Sequence, residues 1–447
     1  MCNKLWPHAA AINSKTRSTL GICCALLFLG PFFFPTYLWF LIFFFPLPFL
    51  LITASAHISF FAFYGWSIGI LAIHSSGMLW GIFNLSCGSL AIRVAPLAIA
   101  LCIEALYPAA IFWFTHWGIA QIHNATILPR LLIWSWSLSI VFLVLIHISL
   151  WYTGACEGHP LINPLLPLAA HPALLTYILP TLGTACTLVL MLSFAVPIAY
   201  ALITHTLRPL WFSALLALPW VISWVVHRPA PHAPAWVQQV IVSIESPKTL
   251  LSNTDLLREK KYLFFPESAC SGCLAALCDL AAQVPTCTII AGGFRDDHGA
   301  HRNTAWLLRG TIQSFCDKRH AMTLTERVPV LVDCKAIRAA YFHNIAEVRP
   351  TQASRPRWVL SPELTLVPYI CSELFFFAKP DDPYYDPIIA LCYDNWSSAR
   401  YVHNLLLLTA RYKAIAWQRD IIYVGYAQQG LCTQDGQLFS IMRTTAF

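Results

Sequence analysis

Three short stretches in the C-terminal half carry side chains suited to covalent chemistry: Phe-Pro-Glu-Ser with Glu267, Asp-Lys-Arg-His with Lys318, and Pro-Tyr-Ile-Cys-Ser-Glu with Cys371. A carboxylate, an amine and a thiol are the parts of an acyl-transfer centre. Glu267 can take the thiol proton, Cys371 can attack a carbonyl carbon, and Lys318, with a backbone N–H near Ser372, can stabilise the developing oxyanion. The product of that attack is a thioester, released by water or by an amine.

The elements around these residues suit the task. Glu267 follows the apolar run Tyr-Leu-Phe-Phe-Pro and Cys371 ends Leu-Val-Pro-Tyr-Ile, so both are expected at strand exits, where a carboxylate is partly desolvated. Lys318 lies between them in a charged turn. Short apolar runs at 239–244, 262–265, 286–291, 366–371, 388–393, 421–426 and 437–441 read as strands, and 273–283 and 398–418 read as helices. Strand ends of an α/β sandwich converge on one rim, the usual place for a catalytic constellation. Singly, each residue has a bland reading: a Glu after Pro as a cap or loop residue, a Lys as a solvated charge, a Cys as a small core hydrophobe. Together and in this order they favour chemistry.

The chain in front of this half is built for lipid. Of 447 residues 57% are hydrophobic and 11% charged, against about 45–50% and about 25% in soluble domains. Residues 1–230 hold seven Lys or Arg and two acids, Glu104 and Glu157, and the remainder holds 21 basic and 19 acidic residues. Apolar runs near 18–35, 36–55, 58–82, 94–115, 129–152, 173–203 and 207–226 are long enough for about seven membrane helices, the first two separated only by Pro35 and Thr36. The first run reads as a retained anchor, because further spans follow and no small-residue cleavage site stands out. Lys4, Lys15 and Arg17 before the first span, with Arg130 and Arg208 in later connections, place the N-terminus in the cytoplasm. Arg93, on an outward loop, argues the other way. Seven crossings put the rest of the chain on the far side, the periplasm of a Gram-negative cell. Residues 1–226 are thus expected to be a transmembrane domain, 227–236 a Pro-rich linker and 237–447 an α/β domain. The net charge of +7 is thinly spread and forms no basic block, which excludes a nucleic-acid footprint.

Over residues 237–447 the motifs resemble those of the membrane-anchored branch of the nitrilase, or carbon-nitrogen hydrolase, superfamily. That branch contains apolipoprotein N-acyltransferase and the TraB-type conjugal transfer proteins. The resemblance implies a polytopic helical membrane domain followed by an αββα sandwich outside the inner membrane, with Glu267, Lys318 and Cys371 as the catalytic triad. Glu326, eight residues after Lys318, falls where the acyltransferases carry a second essential Glu. Glu373 belongs to the nucleophile motif, and Asp394-Asn-Trp396 resembles a following strand-end segment. The implied partners are the lipid bilayer, a phospholipid acyl donor, a lipoprotein or other amine acceptor, and conjugation machinery.

Departures from the acyltransferase pattern favour the TraB-type relative. Ala-Met-Thr-Leu-Thr precedes Glu326, Ser372 stands where the acyltransferases carry Tyr, Ala416 replaces an expected Glu, and the acyltransferases' C-terminal membrane helix is lacking. Two alternatives stay open: an apolipoprotein N-acyltransferase proper, and a non-catalytic conjugation or envelope accessory factor. Glu104, inside an apolar span, either lines a lipid path or lies near the interface. Cys270-Ser-Gly-Cys273 reads as a redox or disulfide pair, while the lack of a second such motif or a zinc-spaced His pair predicts no metal. No cofactor is expected. Nine cysteines lie beyond residue 230, enough for one or two disulfides besides a free nucleophile.

Overall fold

A computed structural model of the chain describes residues 14–55, 58–121, 126–147, 160–229, 232–251, 255–269, 274–321, 326, 335–341, 348–351, 353–376 and 386–444. The chain divides into two compact units. One comprises Ala95–His227 and the chain up to Ser76; the other comprises Gly77–Val94 and Arg228–Phe447.

The apolar runs of the first half are helical: α1 (Ser14–Phe33), α2 (Pro35–Leu38), α3 (Pro46–Ser55), α4 (Phe60–Leu85), α5 (Leu90–Gln121), α6 (Ile127–His147), α7 (Ile178–Ser193), α8 (Ala195–Thr204) and α9 (Leu210–Val226). Six helical stretches among the described residues are long and apolar enough to cross a membrane, and α9 is a shorter apolar helix. The seven expected runs therefore all contain helix. The sixth starts later than expected, at Ile178, because Pro167 and Pro172 hold the preceding chain in short 3-10 turns. The second run is broken between α2 and α3, as Pro46 and Pro48 require. Inside the first unit aromatic rings interlock, with Phe28 5.1 Å from Phe45 and 5.4 Å from Phe142, and Phe49 4.8 Å from Phe112. On the outside, α9 exposes Trp211, Leu215, Leu218, Val221 and Trp224. A helix apolar on its exposed side is unlike a surface helix of a soluble protein. Glu104 is buried on α5.

The second unit is a two-sheet α/β structure. One sheet has the order β12-β1-β2-β3-β4-β5, formed by Met442–Arg443, Val240–Val242, Tyr262–Phe264, Thr288–Asp297, Ala300–Arg309 and Thr311–Asp317. The other has the order β11-β10-β9-β8-β7-β6, formed by Leu438–Phe439, Gln429–Cys432, Ile421–Val424, Ile388–Leu391, Leu364–Ile370 and Trp358–Ser361. Val242, Phe264, Ile290 and Leu307 of the first sheet pack with Leu366, Ile389, Ile422 and Val424 of the second in one buried apolar core. Helices close both outer faces. Leu250 of α10 (Pro247–Leu251), Leu257 of α11 (Asp255–Arg258), and Leu277 and Leu280 of α12 (Leu274–Gln283) pack on Ile241, Leu263 and Ile289. α13 (Lys335–Tyr341) and α14 (Ser372–Phe376) are short, and α15 (Arg400–Trp417) lies against β9 and β10. The layering is helix, sheet, sheet, helix.

The structure contains strands that the sequence reading leaves out. β3 runs on to Asp297 and turns through His298 and Gly299, both at positive φ, into β4; β4 turns through Gly310 into β5. These are hairpin turns of the kind that follow the strand twist. Polar residues at His301, Arg302, Asn303 and Thr304 disguise β4 as a loop. One of them, Asn303, reaches the site, and Thr304 bonds Asp317 beside Lys318.

Candidate active site

Glu267, Lys318 and Glu326 meet in one buried cluster. Glu267 sits on the turn leaving β2, Lys318 follows β5 directly, and all three residues are at most 8% exposed. Lys318 Nζ lies 3.2 Å from Glu267 Oε1 and 2.8 Å from each Glu326 oxygen. Burial works against the ammonium charge, but Glu267 and Glu326 outweigh it and hold the Lys318 pKa above the ordinary lysine value. Two carboxylates and one ammonium leave the cluster one negative charge in excess when all are ionised.

Asn303, a residue the sequence reading missed, organises this cluster. Its Nδ2 donates to Glu267 Oε1 at 2.5 Å and to Glu326 Oε1 at 2.8 Å, and its carbonyl accepts the Lys318 N–H at 2.7 Å. The backbone N–H of Tyr393, just past β8, donates to Glu267 Oε2 at 3.0 Å, fixing the other carboxylate oxygen. Gly292 of β3 lets the Glu267 turn approach, because a Cβ there would stand 2.7 Å from Glu267 Cα. Behind Lys318, Asp317 accepts two hydrogen bonds from Arg295, at 3.0 and 2.6 Å, and one from Thr304 Oγ1 at 2.6 Å. The lysine is thus braced on both sides. In the sequence Asn303 sits among His301, Arg302 and Thr304, a polar stretch that gives no signal of a strand or of a site.

Cys371 stands at the end of β7 with φ 46, a left-handed conformation rare for a residue with a side chain, and α14 starts at the next residue. A strand, a strained turn and a helix N-terminus form the geometry of a nucleophile elbow, which presents a side chain at a sheet edge. The Cys371 thiol is held well above the usual thiol range by the neighbouring Cys392 thiol, by burial and by Glu267, while Lys318 acts in the opposite direction. That last influence is the one an attacking thiolate needs.

Glu373, fully buried, braces the elbow. It accepts N–H groups from Ile370 at 2.8 Å and Arg319 at 2.6 Å, and its other partner is the Arg355 guanidinium at 2.8 Å. Arg355 also donates to Pro368 O at 2.9 Å and lies over the Tyr369 ring. One carboxylate therefore ties the end of β7 to the residue after Lys318. Ser372 Oγ makes a parallel link, donating to His320 O at 3.1 Å.

Asp394 and Trp396 have other surroundings. The Asp394 carboxylate accepts the N–H groups of Ala427 and Gln428 and the Tyr423 hydroxyl, closing the turn after β9. A Cβ on Gly425 would collide with that carboxylate. Burial pushes the Asp394 pKa up despite these donors. Trp396 packs within the same unit against Gly81 of α4, where an added Cβ would fall 2.6 Å from the indole. Among the described residues no hydrogen bond or ion pair joins Asp394 to Glu267, Lys318 or Cys371. Cys270 and Cys273 lie outside the described residues. Among the described residues no group of three or more metal-ligating side chains occurs, and Cys278, Cys287, Cys316, Cys371, Cys392 and Cys432 are free thiols.

No protein-family model matches the chain, and no curated protein matches it in sequence. Among solved structures, a CN-hydrolase superfamily protein from Xanthomonas campestris with an arsenic adduct in its active site is similar at TM-score 0.31 and 16% identity, over 43% of this chain and 80% of that one. An amidase from Nesterenkonia sp. is similar at TM-score 0.30 and 11% identity, over 44% and 82%. A glutamine-dependent NAD(+) synthetase from Cytophaga hutchinsonii is similar at TM-score 0.31 and 10% identity, over 46% of this chain and 37% of that one.

Proposed function

We propose that the second unit is a cysteine-dependent amidase or acyltransferase of the carbon-nitrogen hydrolase kind, working through Glu267, Lys318 and Cys371. The buried Glu267–Lys318–Glu326 cluster beside the strained Cys371 turn carries this reading. Three buried charges cost several kcal/mol each to desolvate and are a poor way to stabilise a fold, so they point to chemistry.

In the reaction Glu267 takes the Cys371 proton, and the sulfur attacks the carbonyl carbon of an amide or ester. Taking the thiol proton neutralises Glu267, so the charge of the cluster counted together with Cys371 is unchanged and the new negative charge sits next to Lys318. Lys318, with the backbone N–H of Ser372 at the start of α14, receives the oxyanion. Collapse of the tetrahedral adduct breaks the carbonyl–nitrogen or carbonyl–oxygen bond, and the leaving group departs with the proton held by Glu267. Water or an amine then attacks the thioester, gives its proton to Glu267 and returns the thiol. Glu326 keeps Lys318 charged and in place.

The helices of the first unit suggest a lipidic or lipid-attached substrate, since a water-soluble amide needs no such anchor. Their lengths and the exposed apolar side of α9 support insertion in a bacterial inner membrane. With α9 as a seventh crossing and the N-terminus cytoplasmic, the second unit lies in the periplasm. The departures around Glu326 and Ala416 favour a TraB-type conjugal transfer protein over an apolipoprotein N-acyltransferase. An aryl-ester acyl donor offered to the full chain in detergent should acylate Cys371, located by peptide mass mapping. Unchanged acylation in Cys371→Ala would sink the assignment.

A further inference from the structure

The nucleophile has a second thiol beside it. β7 and β8 run parallel with Tyr369 opposite Ala390 and Ile370 opposite Leu391, so Cys371 and Cys392, the residues just past each strand end, lie next to each other. The Cys371 N–H donates to Leu391 O at 2.8 Å, which keeps this register up to the elbow. Neighbouring strands run about 4.8 Å apart, within the Cα separations of about 4.4–6.8 Å that a disulfide spans. Cys392 also acts on the Cys371 thiol electrostatically, so the two sulfurs sense each other. Other thiols of this unit bond to carbonyls instead: Cys287 to Thr288 O at 3.9 Å and Cys316 to Asp317 O at 3.7 Å. Structural thiols of that kind are inert.

Exposure orders the pair. Cys371 is 8% exposed and Cys392 1%. A small oxidant therefore meets Cys371 first, and the sulfur shielded behind it is placed to resolve the product.

We propose that Cys371 and Cys392 form a peroxide-responsive disulfide that reversibly caps the nucleophile. This rests on the reading of Cys371 as the attacking thiol. Glu267 takes the Cys371 proton, the sulfur attacks one peroxide oxygen, the O–O bond breaks, and the other oxygen leaves as water or an alcohol after protonation. The Cys392 sulfur then attacks the sulfenic sulfur. Its proton leaves with the hydroxyl as water, and the S–S bond forms. Two electrons pass from the thiol pair to the peroxide, and a small dithiol returns them. The disulfide protects as well as inhibits, since a sulfenic acid with no resolving thiol goes on to irreversible sulfinic acid.

The test uses the reduced full chain in detergent, treated with hydrogen peroxide and read by peptide mass mapping with iodoacetamide alkylation. The expected result is a Cys371–Cys392 cross-linked peptide about 2 Da lighter than the two thiol peptides. Cys371 alkylation should be lost and then restored by dithiothreitol. In Cys392→Ala, and in Cys392→Val as a bulkier apolar replacement, peroxide should instead add about 32 Da to the Cys371 peptide, and dithiothreitol should not reverse it. Sulfinic Cys371 beside reduced Cys392 in the unsubstituted chain would overturn the proposal. A cross-link in a chain whose reduced Cys371 takes no acyl probe supports the disulfide and removes only the nucleophile assignment.

Discussion

Glu373 accepts the backbone N–H of Arg319 at 2.6 Å, so the carboxylate two residues past Cys371 holds the residue next to Lys318. The same side chain accepts from Ile370 and pairs with Arg355. The separation of Cys371 from Lys318 is thereby fixed by one buried anion. Glu373→Gln keeps the shape but turns one of the two oxygens that accept backbone N–H groups into an amide donor, and it leaves the Arg355 guanidinium without its counter-charge. Breaking a buried pair on one side costs about 3–5 kcal/mol. We expect a lowered unfolding midpoint in denaturant and slower acylation of Cys371. The double variant Glu373→Gln with Arg355→Met, which removes both charges, should recover most of the stability and little of the acylation rate. Recovery of both together would reduce Glu373 to a purely structural residue.

Asn303 offers a sharper separation of geometry from stability. Its amide donates to both carboxylates of the cluster. Asn303→Leu removes these donors at similar volume, and an unmet buried hydrogen bond costs about 1–3 kcal/mol. Cys371 acylation by an aryl ester should slow by about tenfold to a hundredfold, as a barrier change of that size dictates. Asn303→Asp, which adds a third carboxylate beside Glu267 and Glu326, should slow it further and destabilise the fold. The measurement is the second-order acylation rate beside a denaturant titration of each variant. Equal rates in Asn303→Leu and the unsubstituted chain would refute the bracing role.

The alkaline behaviour follows from two raised pKa values. A thiol held above 9.0 becomes a thiolate only as pH climbs past that value, so iodoacetamide alkylation of Cys371 should still be rising above pH 9.0. Cys392→Ala removes the largest of the causes and should move the profile to lower pH. Lys318 is raised in the folded state above its usual 10.5, so the folded chain binds this proton more tightly than the unfolded one. Its stabilising contribution is complete below 10.5 and disappears as pH rises through the higher folded value. Thermal unfolding should therefore show no loss from Lys318 through neutrality and a fall only at strongly alkaline pH. Lys318→Met should flatten that alkaline fall.

What the sequence made legible was the chemistry carried by motif and the layers carried by hydrophobic pattern. Glu267 and Cys371 are legible because each follows an apolar strand-like run, and strand exits are where a sheet can present reactive groups; Lys318, in a charged turn after the largely polar run Thr311–Asp317, is legible by its motif alone. Asn303 and Arg355 could not be found, because their partners are distant in sequence: 36 residues separate Asn303 from Glu267, and 18 separate Arg355 from Glu373. A polar residue inside a strand looks like a loop until the facing carboxylates are in place. Asp394 and Trp396 show how a motif can also carry structure. Their motif suggested a site, but the carboxylate serves the turn after β9 and the indole fills the space over a helical glycine. In the first half the apolar pattern located the helices, but proline does not mark their ends reliably: Pro31, Pro96, Pro108 and Pro219 lie inside helices.

The backbone at Cys371 provides a last test that does not depend on knowing the substrate. A residue with a side chain at φ 46 is in the left-handed region, at a cost of about 1–2 kcal/mol that glycine escapes. Cys371→Ala and Cys371→Gly both remove the thiol and both should lose acylation completely. They differ in that alanine keeps the backbone strain and glycine relieves it. In an unstrained β conformation glycine would be the less stable of the two, because it has more conformational freedom to lose. Here the order should reverse, with Cys371→Gly unfolding at higher denaturant than Cys371→Ala by about 1 kcal/mol. The glycine variant gives up the Cβ packing in a site that is 8% exposed, which offsets part of the gain. If alanine proved the more stable, the turn would not be strained, and the elbow that presents the sulfur to Lys318 would need another explanation. Strain kept at the one position where a thiol must project from a sheet edge fits a chain that has exchanged stability for an attacking group.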